Sequence, residues 1–316
     1  MRDFALVFLG SAPFAVPSLR RLVTGGCPIS AVITRPDRPA GRGRKIAATA
    51  VKREAQECGL TVCQPENKGQ LLEVLQKLQP QLLLNVAYGM ILPEAVLLLP
   101  SLGCLNLHPS LLPRYRGAAP IQRAIMAGES KTGVTILFMS TRLDAGDIIL
   151  QESVPLGQED SFGVLHDCLA DRGAILLCKA IDRFGRGQVS AIPQDDGMAT
   201  FAPPLTREEE KIKWSDRALK IFNQIRALAP YPGAYTSFRG LRLKIWKAAL
   251  PQPRQEAAGR SQPPAGTVCR GISEGIIVQC GEGLLPLLEV QPEGNRRMDL
   301  HSFILGYRPQ VGEIIG

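Results

Sequence analysis

The run Asn106-Leu107-His108-Pro109 places an amide and an imidazole two residues apart. In an extended strand, residues at that spacing project from the same face. Pro109 ends the strand directly after His108, because proline cannot donate to a sheet ladder. Both side chains therefore stand at the carboxyl end of a strand, where open α/β sheets place their ligand crevice. There an amide donor and a proton-carrying ring can reach one reacting atom together. A carboxylate would complete the set by orienting the ring and stabilising its protonated form. Asp144 and Asp147, in Arg142-Leu143-Asp144-Ala145-Gly146-Asp147, both follow a strand expected to end at Met139. Composition does not choose between them. Each also suits a turn around Gly146, and His108 also suits a histidine that pins a loop.

The elements that must position these groups follow from hydrophobic periodicity. Short β-rich runs at Ala5-Leu9, Ile29-Thr34, Leu82-Ala87, Cys104-Leu107 and Val134-Met139 alternate with helical patterns at Pro17-Val23, Val51-Cys58, Gln70-Leu78, Ala95-Leu98 and Pro120-Ala127. That alternation predicts an α/β unit built on a parallel sheet with helices on both faces. A further helix is expected over Phe162-Phe184. The proline-bearing stretch 190–206 reads as a linker, which divides the chain into a domain at 1–189 and a second at 207–316. In the second, Ser215-Asp216 is placed to cap a helix running to about Ala229. Short strand-like runs follow at Ala234-Phe238, Leu241-Ala248, Thr267-Arg270, Gly275-Cys280 and Leu284-Val290, predicting a small β-barrel. Pro251–Ala265 reads as a long surface loop.

Several function classes are excluded or disfavoured. The first strand ends in Gly10-Ser11-Ala12-Pro13, which lacks the glycines that admit a pyrophosphate, and Gly41-Arg42-Gly43 lacks the ending of a phosphate loop. The most apolar stretch, Leu82-Leu99, is interrupted by Asn85, Gly89, Pro93 and Glu94, against a membrane span. Eight cysteines form no CxxC pair, so they read as reduced, buried small hydrophobes of a cytoplasmic protein. His166 and His301 lack ligand-like partners, so no metal is expected, and His166 reads as a surface residue. The formal charge of +8 over 316 residues suggests an anionic partner. Much of it is concentrated: Arg35, Arg38, Arg42, Arg44, Lys45, Lys52 and Arg53 face a single acid, Asp37, while acids outnumber bases in the rest of the first 206 residues. Prolines and the closely spaced Gly41 and Gly43 argue that this stretch forms neither a helix nor a packed core.

His108-Pro109-Ser110-Leu111-Leu112-Pro113-Arg114-Tyr115-Arg116-Gly117 resembles the signature of the folate-dependent formyltransferases. Leu143-Asp144-Ala145-Gly146-Asp147 resembles that family's second motif, which carries its catalytic aspartate, and this selects Asp144. Pro36-Asp37-Arg38-Pro39-Ala40-Gly41-Arg42-Gly43-Arg44-Lys45 is similar to the basic inserted loop of the branch that formylates methionyl-tRNA. Phe14-Ala15-Val16-Pro17-Ser18-Leu19, Ala87-Tyr88-Gly89-Met90-Ile91-Leu92-Pro93, Gly117-Ala118-Ala119-Pro120-Ile121-Gln122 and Ile212-Lys213-Trp214 agree with the same family. One departure is Ser11-Ala12-Pro13, where the family usually has Thr-Pro after the first-strand glycine.

The resemblance implies a Rossmann-like catalytic domain followed by a smaller OB-like barrel that helps hold tRNA. It implies a catalytic set of Asn106, His108 and Asp144. Ser110, Leu111, Leu112 and Pro113 would lie against a reduced folate, 10-formyltetrahydrofolate, which acts as formyl donor. Tyr88, Gly89, Met90, Ile91 and Leu92 would read its pterin, and Arg38, Arg42, Arg44 and Lys45 would meet the initiator methionyl-tRNA that accepts the formyl group. Such a transfer needs no metal and no covalent enzyme intermediate: Asn106 would donate to the oxyanion while His108, held by Asp144, passes a proton. The chain is expected to act as a cytoplasmic monomer. The alternatives are a formyltransferase for a small amine such as glycinamide ribonucleotide or an amino sugar, a formyl-folate hydrolase, and a nucleic-acid-binding module without activity.

Overall fold

The computed structural model describes residues 4–40, 45–253, 262–270 and 275–316. The chain divides into two compact units, one of Met1–Pro120, Lys131–Pro155 and His166–Ala202, the other of Ile121–Ser130, Leu156–Leu165 and Pro203–Gly316.

In chain order the first part runs β1 (Leu6–Gly10), α1 (Val16–Thr24), β2 (Ile29–Ile33), β3 (Arg38–Ala40), β4 (Lys45–Ala47), α2 (Ala50–Glu57), β5 (Val62–Cys63), α3 (Lys68–Leu78), β6 (Leu82–Val86), α4 (Glu94–Leu97), β7 (Cys104–His108), β8 (Arg116–Gly117), α5 (Pro120–Met126), β9 (Lys131–Phe138), β10 (Ile148–Pro155), α6 (Phe162–Gly185) and β11 (Phe201–Ala202). Seven strands form one sheet in the order β10-β9-β7-β6-β1-β2-β5. Consecutive residues of β1 and β7 are all buried, so both faces of these central strands are covered; β1 is accordingly apolar throughout, whereas β7 carries the buried polar Asn106 and His108. Gly10 closes β1 where a β-carbon would meet Phe8 at 2.8 Å and the Val86 carbonyl at 3.1 Å. Its role is close packing against the neighbouring strand. Ser11, at the departure noted in the sequence, accepts hydrogen bonds from the Thr34 hydroxyl and the Arg35 amide.

The sheet is Rossmann-like, as the alternation predicts: β5, β2, β1, β6 and β7 run parallel, and an antiparallel pair extends one side. β9 runs antiparallel to β7 and to β10. The short Met139–Asp147 connection from β9 to β10 cannot house the crossover that parallel pairing needs, so it makes a hairpin. Sequence reading missed β10, whose half-exposed pattern is that of an edge strand.

The second part contains α7 (Ala218–Ala227), β12 (Ala234–Phe238), β13 (Leu241–Ala248), β14 (Val268–Arg270), β15 (Ile277–Gln279), β16 (Leu284–Pro292), β17 (Met298–Asp299) and α8 (Leu300–Tyr307). Its antiparallel strands, in the order β12-β13-β16-β15-β14 with β17 beside β16, form a curled half-barrel. Alternation in β12 turns Ala234, Thr236 and Phe238 inward, onto a core with Trp214, Phe222, Leu243 and Phe303. The Trp214 indole donates to the Thr236 hydroxyl at 3.0 Å, satisfying both groups inside that core. Arg217, without a capping side chain, stands at the start of α7; Asp216 pairs instead with Lys220 at 2.9 Å, so the expected Ser215-Asp216 cap does not form. α8 was not foreseen, although Asp299 caps it by accepting from the Ser302 amide.

Two surface expectations also change. His166 is partly covered, its ring edge-on to Phe14 and its Nδ1 2.8 Å from Asp167. Cys27, Cys104 and Cys280 are buried, but Cys168 is exposed. Among the described residues, no helix is long and apolar enough to cross a membrane.

Candidate active site

Strand register brings the first two groups to one edge. β7 lies between β6 and β9, with Asn106 beside Asn85 on one side and Leu137 on the other, and His108 beside Thr135. Asn106 and His108 are both buried. Asn85 donates from its amide to Asn106 Oδ1 at 2.8 Å, and Asn106 Nδ2 points to Asp144 Oδ1 at 3.4 Å. A carboxylate only accepts, so these two contacts fix which end of the Asn106 amide faces Asp144. Its NH₂ carries a second hydrogen, which can be offered to a reacting oxygen.

His108 Nε2 lies 2.9 Å from the Tyr115 carbonyl. A carbonyl only accepts, so Nε2 carries the ring hydrogen and the neutral ring keeps its lone pair on Nδ1. Nδ1 in turn faces Asp144 Oδ2 at 3.7 Å, too far for a hydrogen bond. The tether expected from Asp144 is thus supplied by a backbone carbonyl. Asp144 waits beside the nitrogen that can take up a proton, where it would form an ion pair with the imidazolium. Tyr115 is itself left-handed, with φ 61°, and its amide donates to Thr200 Oγ1 at 2.9 Å.

Asp144 also adopts a left-handed backbone, φ 47°, and its Oδ2 accepts from the Gly117 amide at 2.9 Å. Two residues on, a β-carbon at Gly146 would fall 1.8 Å from the Phe138 carbonyl, so only glycine fits. Asp147 is exposed, and its backbone carbonyl accepts from Phe138 N at 2.9 Å. The structure therefore brings Asp144 to Asn106 and His108, and leaves Asp147 outside.

The adjoining turn divides by direction. Ser110 is fully buried, its hydroxyl donating to the Arg114 carbonyl at 2.7 Å while its own carbonyl accepts from Thr135 at 2.6 Å. Leu112 is buried too, so Leu111 and Pro113 are the residues of this turn with side-chain surface to offer. In the next loop the Tyr88 side chain is fully buried and Leu92 nearly so, whereas Gly89 and Ile91 are exposed. Burial pushes the Tyr88 hydroxyl up to about 12, against the opposing influence of Arg35, so it stays protonated.

β3 and β4 pair as a two-stranded hairpin in the basic stretch, with Arg38 exposed opposite Ala47. Arg42 and Arg44 lie outside the described residues, and of Lys45 only the backbone is described. Lys52 is not free to meet an anion: its ammonium is 2.6 Å from Asp37, whose other oxygen accepts from Gln64. These two partners, Lys52 foremost, hold the Asp37 carboxyl below the usual carboxylate range.

Sequence reading passed over Asn85 and the Tyr115 carbonyl. Asn85 had a signal, as the one polar residue in the apolar run Leu82-Ala87. The Tyr115 carbonyl had none, since a backbone acceptor leaves no mark on residue type. Among the described residues, no cluster of histidine, cysteine and acidic side chains could hold a metal ion.

The formyl transferase family profile matches residues 4–181, and that of the formyl transferase C-terminal domain matches residues 204–308. A methionyl-tRNA formyltransferase of Moorella thermoacetica is 50% identical over 313 residues, covering 98% of this chain and 99% of the relative. One of Carboxydothermus hydrogenoformans is 46% identical, covering 98% of each. Among solved structures, a methionyl-tRNA formyltransferase from Clostridium thermocellum aligns with a TM-score of 0.56 at 17% identity, covering 90% of this chain and 99% of that one. An N-formyltransferase from Helicobacter canadensis, in complex with folinic acid and dTDP-3-aminofucose, aligns with a TM-score of 0.66 at 21% identity, covering 89% and 98%. These structures share the fold.

Two substitutions test the geometry. Gly146→Ala must displace the backbone beside Asp144, and a misplacement of about 1 Å can cost ~10²-fold in turnover; steady-state kinetics showing parental turnover would contradict it. Ser110→Leu places a bulky side chain in a filled site and removes the bond to Arg114. Its thermal midpoint should fall and its Michaelis constants for both substrates should rise together; damage to one constant alone would show that Ser110 acts as a ligand-facing residue.

Proposed function

The chain belongs to the methionyl-tRNA formyltransferase family, and we propose that its donor is 10-formyltetrahydrofolate, its acceptor the α-amino group of methionine on initiator tRNA, and its catalytic set Asn106, His108 and Asp144. The product, N-formylmethionyl-tRNA, serves translation initiation. The observation that carries the reading is the convergence of the buried Asn106 amide and the His108 ring on Asp144 at one sheet edge, Oδ1 3.4 Å from the amide and Oδ2 3.7 Å from the ring.

The neutral amine attacks the formyl carbon, a C–N bond forms, and the carbonyl electrons move to oxygen. Asn106 Nδ2 donates its second hydrogen to that oxygen, a contact worth about 3 kcal/mol when it is realised in the transition state. The proton shed by the attacking nitrogen goes to His108 Nδ1, the lone pair left open by the Tyr115 tether, and Asp144 balances the charge. Positioned proton transfer of this kind supplies ~10²–10⁴-fold. Collapse of the tetrahedral carbon breaks its bond to the folate nitrogen, which leaves with the proton returned from His108. No step requires a covalent enzyme intermediate.

The folate would rest against Leu111 and Pro113, with its pterin reading backbone groups of Tyr88, Gly89, Met90, Ile91 and Leu92. The folinic acid bound to the Helicobacter canadensis enzyme supports this donor class. Arg38, Arg42, Arg44 and Lys45 would meet the tRNA acceptor end, arginine forks suiting phosphates and their planes suiting unpaired bases.

Incubation with 10-formyltetrahydrofolate and charged initiator tRNA should yield formyl-methionine. Folate turnover without tRNA would instead indicate a hydrolase, and transfer only to small amines would indicate the other branch of the family. Replacing Arg42, Arg44 and Lys45 together should weaken tRNA binding and flatten its salt dependence by roughly 0.7–0.9 of a log–log slope unit per lost phosphate contact. Parallel lines of equal affinity across a salt series would show that the stretch is a solvated surface.

A further inference from the structure

Residues 190–206 read as a linker in the sequence, yet the stretch from Ile192 to Ala202 is stitched onto the site. Ile192 exchanges both backbone hydrogen bonds with Ile148, at 2.8 and 2.9 Å. Further along, β11 pairs in parallel with β8, and Thr200 takes the Tyr115 amide. Between these anchors, Gln194 Nε2 reaches two carbonyls of the catalytic turn, Asp144 O at 2.8 Å and Gly146 O at 2.7 Å. One primary amide has two hydrogens, so both are used. Its Oε1 in turn accepts from Arg116 Nε at 3.1 Å and Nη2 at 2.8 Å. The Arg116 side chain is buried, and its remaining Nη1 lies 2.9 Å from Asp196 Oδ1. Arg116 directly precedes Gly117, whose amide holds the Asp144 carboxylate. The turn is thus gripped at both ends, its side chain by Gly117 and its backbone by Gln194, with Arg116 joining the two grips.

We propose that Gln194 is a positioning residue for formyl transfer: braced by Arg116, it holds the left-handed Asp144 turn so that the carboxylate faces His108 Nδ1 and the Asn106 amide. This inference rests on Asp144 serving the reaction as argued above. Geometry selects the glutamine. A glutamate would keep an acceptor for Arg116 but lose both donors and set a carboxylate against two carbonyls. A methionine would keep the length and lose every hydrogen bond.

The test uses the full chain, Gln194→Met and Gln194→Glu, each alone and with Asp144→Asn, under steady-state and single-turnover conditions. Each Gln194 variant should lower kcat about 10- to 100-fold, the scale of a misplaced catalytic group, while both Michaelis constants stay within about twofold. In the Asp144→Asn background the same change should cost less than about twofold, because the group it positions is gone. Parental kcat in the Gln194 variants, or the same loss in both backgrounds, would overturn the inference. Should Gln194→Met fail to fold, as a thermal melt would reveal, the isosteric Gln194→Glu decides alone. Parental kcat in Asp144→Asn by itself would refute the Asp144 assignment, a result distinct from failure of the clamp.

Discussion

A single aspartate held in a backbone conformation that L-residues avoid sets the geometry of the site. The left-handed Asp144 costs on the order of 1–3 kcal/mol unless its surroundings impose it. Here they do so from several directions: the Gly117 amide takes the carboxylate, Gln194 spans the carbonyls of residues 144 and 146, and the Phe138 carbonyl leaves room only for glycine at 146. Strain at this one residue, sustained by hydrogen bonds from two separate segments and by close packing against a third, aims the carboxylate at two side chains on β7. The second fixed point is the His108 ring, whose hydrogen is committed to the Tyr115 carbonyl. With that nitrogen occupied, Nδ1 is the ring atom left to exchange a proton in the proposed reaction, and it faces Asp144.

The site rests on ordinary sheet mechanics. Asn106 and His108 share a face through strand period, Asn85 meets Asn106 because β6 and β7 are in register, and Thr135 of β9 stands beside His108 and takes up the Ser110 turn. β9 does this through its antiparallel register with β7, while β10 covers its outer side. Because β9 runs antiparallel to β7, Phe138 stands beside Leu105 and the Met139–Asp147 connection starts at the amino end of β7, from which Asp144 reaches the Asn106 and His108 side chains.

Much of this was legible in the sequence, for identifiable reasons. The central strands advertise themselves through largely apolar runs, and Asn106-Leu107-His108-Pro109 declares both a shared face and a strand end. The reversed direction of β9 was hidden because residue pattern encodes burial and not polarity of pairing. β10 was missed because an edge strand with one wet face resembles a loop. Gln194 was hidden for a different reason: prolines and acidic residues around it signal a linker, and its contacts span some fifty positions of sequence. The Tyr115 tether is invisible in principle, being a main-chain carbonyl. Of the basic stretch, composition indicated the charge but not that Lys52 is spent on Asp37.

The central claim is that Asn106, His108 and Asp144 serve one transition state. Its most direct test is single-turnover formyl transfer to initiator methionyl-tRNA by the three single alanine variants and the triple variant. If the groups act as a unit, each single substitution lowers the rate sharply and the triple loses little more than the worst single, far less than the product of the three factors. Independent, multiplying losses, or a His108→Ala enzyme with near-parental rate, would contradict the account.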